Sequence, residues 1–81
     1  MQIRVLFHSY FKELAGRGDM PVEIAGGSTL GELVAIVLAR CPRLAPMKSS
    51  MLMAVGVEYQ KADYRLCEGD EVSLFPPVQG G

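Results

Sequence analysis

The sequence predicts an α+β domain, in which one mixed sheet of four or five strands carries a main helix across one face and a short helix after the first strand. Two observations favour this class. Near both ends of the chain, apolar residues alternate with polar ones, which is the period of a strand with one buried face. Between them, residues 29–40 carry apolar side chains at the spacing of an amphipathic helix.

A first strand and a short helix are predicted at the start of the chain. Ile3, Val5 and Phe7 alternate with other residues and include the β-branched and aromatic side chains that strands favour. In the next segment, Ser9 is placed to cap a helix and Gly16 is placed to end it. We therefore expect a helix of about two turns directly after the strand.

A second strand is predicted around Val22 and Ile24, whose side chains share one face of an extended segment. The strand runs into Gly26 and Gly27, which indicate a loop. Because the two strands are close in sequence, we expect them to form an antiparallel hairpin.

The main helix is the clearest element of the sequence. Thr29, followed three residues later by Glu32, has the pattern of a capping box. Pro42 ends the helix because a proline disfavours helical geometry in the residue before it. An apolar stripe on this helix should pack on the sheet, and it comprises Leu30, Leu33, Val34, Val37 and Leu38.

The last part of the chain is predicted to add two or three strands. Residues 43–50 are interpreted as a loop, and residues 51–60 as strand material around a turn at Gly56, which is free to adopt positive φ. A turn at residues 68–70 precedes a last strand that ends at Pro76, since proline has no backbone N–H to donate. We expect this last strand to lie beside the first.

Composition and charge exclude several classes of function. The 81 residues are enough for one core and too few for two, and 49% of them are hydrophobic. The net charge is −1 and no cluster of Lys or Arg resembles a phosphate-binding surface, so we expect no nucleic-acid partner. No apolar run approaches the ~20 residues that cross a bilayer, and the first residues lack a signal peptide's layout. We expect no membrane association and a cytoplasmic location.

No metal site or disulfide is expected. Cys41 and Cys67 are interpreted as reduced, buried, small hydrophobic residues, because the chain shows no export signal. Their separation does not match CxxC spacing and His8 is the only histidine, so ligands for a metal are lacking. His8 is interpreted as a surface or packing residue, and Phe7 and Phe11 as core.

A projecting, flexible tail is predicted at residues 77–81, after a folded domain at residues 1–76. The stretch from Pro76 to Gly81 can extend ~20 Å at ~3.3–3.6 Å per residue, enough to enter a pocket of another protein. Gly80 and Gly81 lack a Cβ, so they can pass a channel too narrow for other residues and leave the terminal carbonyl unshielded.

The functional group at the tip of this tail is the α-carboxylate of Gly81, which is ionised at neutral pH and inert to nucleophiles. To react, it must first become an acyl phosphate or an acyl adenylate. The chain has no GxxxxGK[ST] motif and no Gly-rich turn between a strand and a helix that would bind ATP. We therefore expect a partner enzyme to use ATP for the activation, and no cofactor on this chain.

The segment "EGDEVSLFPPVQGG", residues 68–81, resembles the C-terminal signature of the ubiquitin-like β-grasp sulfur carriers, a family that includes small subunits of molybdopterin synthase. The opening "IRVLFHSYFKELAG", residues 3–16, is similar to that family's first strand and short helix. The helix "TLGELVAIVLARCP" falls in the corresponding place. The resemblance implies a ubiquitin-like β-grasp fold over essentially the whole chain.

The resemblance also implies a mechanism. An adenylyltransferase related to ubiquitin-activating enzymes would convert Gly81 to a glycyl adenylate, and a sulfur donor enzyme would yield a C-terminal thiocarboxylate, 1-thioglycine. The large subunit of molybdopterin synthase would receive the tail in a complex of two small and two large subunits. Two sulfurs would pass to cyclic pyranopterin monophosphate and form the dithiolene of molybdopterin. The carrier would act as co-substrate and supply no catalytic side chain.

Phe75, Pro76, Pro77 and Val78 are interpreted as an apolar anchor that docks the partner, since exposed apolar residues beside the tail suit association. An edge strand blunted by proline is the alternative for these residues. Three other functions stay open at this point: a sulfur carrier for thiamine thiazole synthesis, a ubiquitin-like modifier whose Gly81 forms isopeptide bonds, and a small binding module with an incidental tail.

Overall fold

The computed structural model describes residues 1–77 and confirms the predicted α+β class. The predicted boundary between a domain at residues 1–76 and a tail at residues 77–81 stays a prediction. The described elements, in chain order, are β1 (Gln2–Phe7), α1 (Phe11–Ala15), β2 (Asp19–Glu23), α2 (Leu30–Arg40), a 3₁₀ helix (Pro42–Ser50), β3 (Leu52–Val55), β4 (Glu58–Tyr59) and β5 (Glu71–Phe75).

The strands form one mixed sheet in the order β2-β1-β5-β3-β4. The hairpin of β1 with β2 is antiparallel, as predicted, and β3 is antiparallel to both β5 and β4. The first and last strands are neighbours, as predicted, and they run parallel, with Val5 opposite Val72 and Phe7 opposite Leu74. Because β1 and β5 run in the same direction, both end at the same edge of the sheet.

The core lies between the helices and one face of this sheet. Ile3, Val5 and Phe7 on β1 are almost completely buried, as their alternation predicts, and so are Val72 and Leu74 on β5. The stripe of α2 lies against them, since its buried residues are those predicted except Leu38, which is half-buried. The opposite face of the sheet carries the remaining residues of each strand.

The capping box that begins α2 is confirmed. The Thr29 hydroxyl accepts a hydrogen bond from the backbone N–H of Glu32 at 3.3 Å, and the Glu32 carboxylate accepts one from the backbone N–H of Thr29 at 2.9 Å. These hydrogen bonds lower the pKa of Glu32, and Arg65 lowers it further. The helix ends at Arg40, and Cys41 follows as its C-cap, directly before Pro42.

The interpretation of residues 43–50 as a loop is wrong. They belong to the 3₁₀ helix that starts at Pro42, where a proline fits because the first N–H of a helix has no partner. Leu44 is completely buried in this helix and anchors it to the core. A 3₁₀ helix tolerates Pro46 inside it because its repeating unit is short and its hydrogen bonding is less regular than that of an α-helix.

The predicted cap of α1 at Ser9 is also wrong. The helix begins at Phe11, and Tyr10 occupies the N-cap position without a side-chain hydrogen bond. Ser9 has a φ of 56°, in the left-handed region, and it turns the chain sharply from β1 into α1. With five residues α1 is shorter than predicted, and it ends at Gly16, whose φ of 76° is the left-handed C-cap that the glycine predicted.

The two predicted turns are confirmed. Gly56, with a φ of 62°, lies in the tight turn between β3 and β4, and Gly69, with a φ of 82°, lies in the turn before β5. Both cysteines are free thiols, and Cys41 is buried as expected. Cys67 is exposed, because it lies in the irregular segment before the Gly69 turn and not in a strand.

Candidate functional site

The candidate site lies on the face of the sheet that the helices leave open, where β5 ends. Leu74 is completely buried, so the next residue, Phe75, points to the opposite face. The register places Leu52 beside Phe75 on β3 and Leu6 beside Ser73 on β1. Since residues directly opposite one another share a face, these side chains lie together on the open side.

Two rings contact Phe75 on this face. The imidazole of His8 stacks on it, with ring centroids 4.7 Å apart and planes 29° apart. The ring of Tyr59, on β4, meets it edge-on at 6.0 Å. Tyr59 is 68% exposed, whereas Phe75 and His8 are half-buried. We call this surface the open-face patch, and it comprises Leu6, His8, Leu52, Tyr59 and Phe75.

The predicted anchor stays a prediction, and the structure describes its first three residues. Phe75 is at the centre of the open-face patch, and Pro76 and Pro77, both half-buried, follow it at the end of β5. The alternative of an edge strand blunted by proline is wrong, because β5 lies between β1 and β3 in the middle of the sheet. Val78, Gly80 and Gly81, which the prediction included, lie outside the described residues.

Sequence reasoning misses four members of the patch, and it assigns His8 no function. The alternation in β1 places Leu6 on the face opposite the core, so its position is readable from the sequence. Leu52 and Tyr59 belong to strands whose register depends on pairing with β5, far away in the chain. His8 lies one residue beyond the end of β1 and continues the alternation of Arg4 and Leu6, but its contact with Phe75 depends on the pairing of β1 with β5.

The imidazole of His8 is incompletely satisfied. Its Nε2 atom is buried and has no hydrogen-bond partner among residues 1–77. The backbone of His8 is held firmly: its N–H donates to the carbonyl of Leu74 at 3.1 Å, and its carbonyl accepts from the N–H of Phe11 at 3.1 Å. The ring is therefore fixed against Phe75 by the ends of two strands and the start of α1.

Charged groups also lie on the open face, around Arg4 on β1. Arg4 is positioned between two carboxylates, with Asp19 at 3.2 Å and Glu71 at 3.6 Å. All three side chains are about half exposed, so solvent screens the pairs and they contribute little to stability. Glu71 lies opposite Arg4, at the far end of β5 from Phe75, whereas Asp19 lies opposite Leu6 and borders the open-face patch.

The arrangement suits binding of an apolar surface beside the end of β5. Within residues 1–77 no group of three His, Cys, Asp or Glu side chains is placed to hold a metal ion. The same residues contain no pocket of ligand size and no helix long and apolar enough to cross a membrane.

Comparison with known proteins identifies the family. The model of the family described as the ThiS family matches residues 5–81. The chain belongs to the ThiS family. The match covers nearly the whole chain and extends through Gly81.

Two curated relatives of this ThiS-family chain are named molybdopterin synthase sulfur carrier subunit. The relative from Chlamydomonas reinhardtii is 32% identical, and the alignment covers 100% of both chains. The relative from Escherichia coli (strain K12) is 37% identical, and the alignment covers 98% of this chain and 99% of the relative.

Solved structures show the same fold. The crystal structure of SAMP1 from Haloferax volcanii has a TM-score of 0.89 at 22% identity, with 100% of both chains covered. A complex of subunits 1 and 2 of the molybdopterin-converting factor from Helicobacter pylori 26695 has a TM-score of 0.73 at 26% identity, again with 100% of both chains covered. This ThiS-family chain therefore has the ubiquitin-like β-grasp fold that its sequence resemblance implied.

Proposed function

We propose that this protein is the sulfur-carrier small subunit of a molybdopterin synthase and acts in the cytoplasm. One observation carries the proposal: relatives named as that subunit align with essentially the full length of this chain, and the family match extends through Gly81. The relation to two separate relatives above 30% identity favours this function over one that shares the fold alone.

The reactive group of the proposed carrier is the carboxylate of Gly81. A carboxylate oxygen attacks the α-phosphate of ATP on an adenylyltransferase related to ubiquitin-activating enzymes, and pyrophosphate leaves. A hydrosulfide equivalent from a sulfur donor enzyme then attacks the acyl carbon and displaces AMP. The product is a C-terminal thiocarboxylate, whose sulfur replaces one carboxylate oxygen. ATP binds to the partner, and this chain holds no cofactor of its own.

The thiocarboxylate then delivers its sulfur on the large subunit of molybdopterin synthase. Each carrier brings one sulfur atom, so the dithiolene of molybdopterin requires two deliveries to cyclic pyranopterin monophosphate. A complex of two small and two large subunits would supply them. The absence of a Cβ at Gly80 and Gly81 keeps the tail narrow enough to enter the large subunit's active site.

The open-face patch is the surface on which the large subunit docks. The exposed ring of Tyr59 and the half-buried ring of His8 contact Phe75, the last residue before the prolines that lead to the tail. Tyrosine is among the residues that contribute most to protein interfaces, because a rigid ring buries a large area for little loss of entropy. The Helicobacter pylori complex is a precedent, since a chain of this fold is there in complex with a second subunit.

The proposed chemistry is tested by the intact mass of the full chain after incubation with the adenylyltransferase, ATP and a sulfur donor. We expect a gain equal to the difference between sulfur and oxygen, and formation of molybdopterin when the large subunit and the pterin precursor are added. A chain with one extra residue after Gly81 is the matched control, because it folds identically but offers the wrong terminal group.

Each other outcome identifies a competing function. Higher-mass adducts on lysines of other proteins would indicate a ubiquitin-like modifier. A thiocarboxylate that forms normally but yields no molybdopterin would favour a carrier for thiamine thiazole synthesis. A chain that lacks Gly80 and Gly81 and still supports molybdopterin formation would contradict the proposal entirely.

A further inference from the structure

We propose that His8 determines the affinity of the open-face patch for its partner and that only the neutral imidazole docks well. The inference rests on the proposed docking of the large subunit. It follows from the position of one ring: His8 stacks on Phe75 at 4.7 Å and buries its Nε2 atom without a hydrogen-bond partner among the described residues.

The two protonation states of His8 fit this position unequally. A neutral imidazole can carry its proton on Nδ1 and leave Nε2 as a lone pair, whereas a protonated ring must place an N–H at both nitrogens. A buried nitrogen without a partner costs free energy in either state, and the protonated ring adds the larger cost of desolvating a positive charge. The neutral ring is therefore the form that matches the stack on Phe75.

The imidazole has little freedom to move away from Phe75 and expose its Nε2 atom to water. The backbone of His8 is bonded to Leu74 on one side and to Phe11 on the other, each at 3.1 Å. Ser9, the next residue, has a left-handed φ of 56°, a conformation that a residue with a side chain adopts only when its surroundings impose it. These constraints hold the imidazole over Phe75.

No neighbouring charge among the described residues neutralises a protonated His8. The ion pairs among residues 1–77 join Arg4 to Asp19 and Glu71; Glu71 lies at the far end of β5 from Phe75, whereas Asp19 lies opposite Leu6. No carboxylate of this part of the chain comes within ion-pair distance of the imidazole. The charged or titratable side chains on the elements around His8 are Arg4 on β1, Asp19 and Glu23 on β2, Glu58 and Tyr59 on β4, Glu71 on β5, Tyr10, Lys12 and Glu13 at α1, and Arg17 in the segment between α1 and β2.

Docking increases the free-energy difference between the protonated and the neutral form of His8. A partner that covers Tyr59 and Phe75 with apolar surface removes water from the imidazole, so a charge there loses hydration and gains nothing in return. The partner therefore binds the neutral form more tightly, and protonation of the ring competes with docking. By linkage, affinity is complete at pH values where the free imidazole is neutral and falls as the pH drops into the range where it is protonated.

The test is the dissociation constant between the full-length chain and the large subunit of the same organism's molybdopterin synthase, measured by calorimetry at pH 7.5, 6.5 and 5.5. We expect binding to weaken roughly tenfold between pH 7.5 and 5.5, because histidine changes charge in this range. His8→Phe keeps an aromatic ring on Phe75 but does not titrate. Its pH dependence therefore reports the other titrating groups of the two proteins, and the tenfold loss should appear in the wild type relative to this variant.

A second measurement needs no variant. His8 is the only histidine of the chain, so its imidazole signals are unambiguous in a nuclear magnetic resonance titration of the isotope-labelled chain. The midpoint of that titration should shift to lower pH when unlabelled large subunit is added in excess. A midpoint that does not move, or equal pH dependence in wild type and His8→Phe, would overturn the inference and leave the docking proposal intact. Absence of binding at every pH for both chains would overturn the docking proposal and the inference with it.

Discussion

Replacing Tyr59 with alanine should impair partner binding far more than folding. Tyr59 is 68% exposed and lies on β4, which has two residues and pairs only with β3 at the end of the sheet order. Its ring contacts the ring of Phe75 edge-on, with the two ring centroids 6.0 Å apart. Such an aromatic pair contributes ~0.5–1.5 kcal/mol beyond the area that it buries. Because most of this ring is in water, we expect a loss of about 1 kcal/mol or less in the free energy of unfolding.

The same exposure makes the ring available to a partner. Truncation of a tyrosine at the centre of an interface commonly costs ~2 kcal/mol or more of binding free energy. A loss of ~2 kcal/mol corresponds to a dissociation constant about 30-fold higher. The variant should therefore melt within about 8 °C of the wild type and bind the large subunit at least about 30-fold more weakly.

The assay combines thermal melts of the free chain with calorimetric titration of the large subunit. Val57→Ala is the matched control, since Val57 is 99% exposed and lies two residues before Tyr59, in the turn at the opposite end of the sheet from Phe75. This control should change neither measurement. Wild-type affinity in Tyr59→Ala, or an equal loss of affinity in Val57→Ala, would refute the assignment of docking to the open-face patch.

Four further predictions concern the fold. Leu33→Ala should cost ~2–5 kcal/mol of unfolding free energy, measured by chemical denaturation, because Leu33 is completely buried in the core; a loss below about 1 kcal/mol would contradict that position. Thr29→Ala should cost about 1 kcal/mol by removing the helix cap. The pKa of Glu32 is lowered in the folded chain, so Glu32→Gln should destabilise the chain above pH 4.5. The difference in melting temperature between this variant and the wild type should disappear as the pH falls through the folded-state pKa. A difference that stays constant with pH would contradict the stabilising role of the ionised Glu32 carboxylate. Alanine normally stabilises a helix by ~1 kcal/mol relative to glycine, but Gly31→Ala should destabilise α2. The new Cβ would lie 3.1 Å from the Cβ of Ala62, whose carbonyl accepts a hydrogen bond from the N–H of Gly31 at 2.9 Å. A higher melting temperature would show that the segment around Ala62 moves to accommodate the methyl group.

The features that the sequence predicts correctly are those specified by neighbouring residues. The alternation of Ile3, Val5 and Phe7 identifies the buried face of β1 because successive side chains of a strand point to opposite faces. The capping box of α2 is likewise contained within four residues, Thr29 to Glu32, so both its hydrogen bonds are readable in advance. Each of these patterns requires no knowledge of what the element packs against.

The features that the sequence does not predict depend on distant packing. The segment at residues 43–50 has two prolines nearby and reads as a loop, yet burial of Leu44 in the core holds it in a 3₁₀ helix. Ser9 has a residue type that caps helices, but the turn out of β1 places it in the left-handed region. In both cases a tertiary constraint overrides the local preference.

The candidate site depends partly on local sequence patterns and partly on the packing of distant segments. Phe75 and the prolines after it are predicted from their position directly before the tail. The partners of Phe75 are not, because His8 and Tyr59 reach it from β1 and β4 only once the sheet order is established. A surface assembled from several strands is therefore recognisable in a structure although each of its residues is ordinary in the sequence.

The position of β5 connects the fold to the proposed function. This strand lies in the middle of the sheet, hydrogen-bonded to β1 on one side and to β3 on the other. Its inward residue Leu74 anchors it in the core, and its outward residue Phe75 is the centre of the open-face patch. The tail therefore leaves from a firmly held strand, directly beside the surface proposed to bind the large subunit. In the proposed function, docking would fix this origin and so reduce the entropic cost of bringing the carboxylate of Gly81 to the active site of the large subunit.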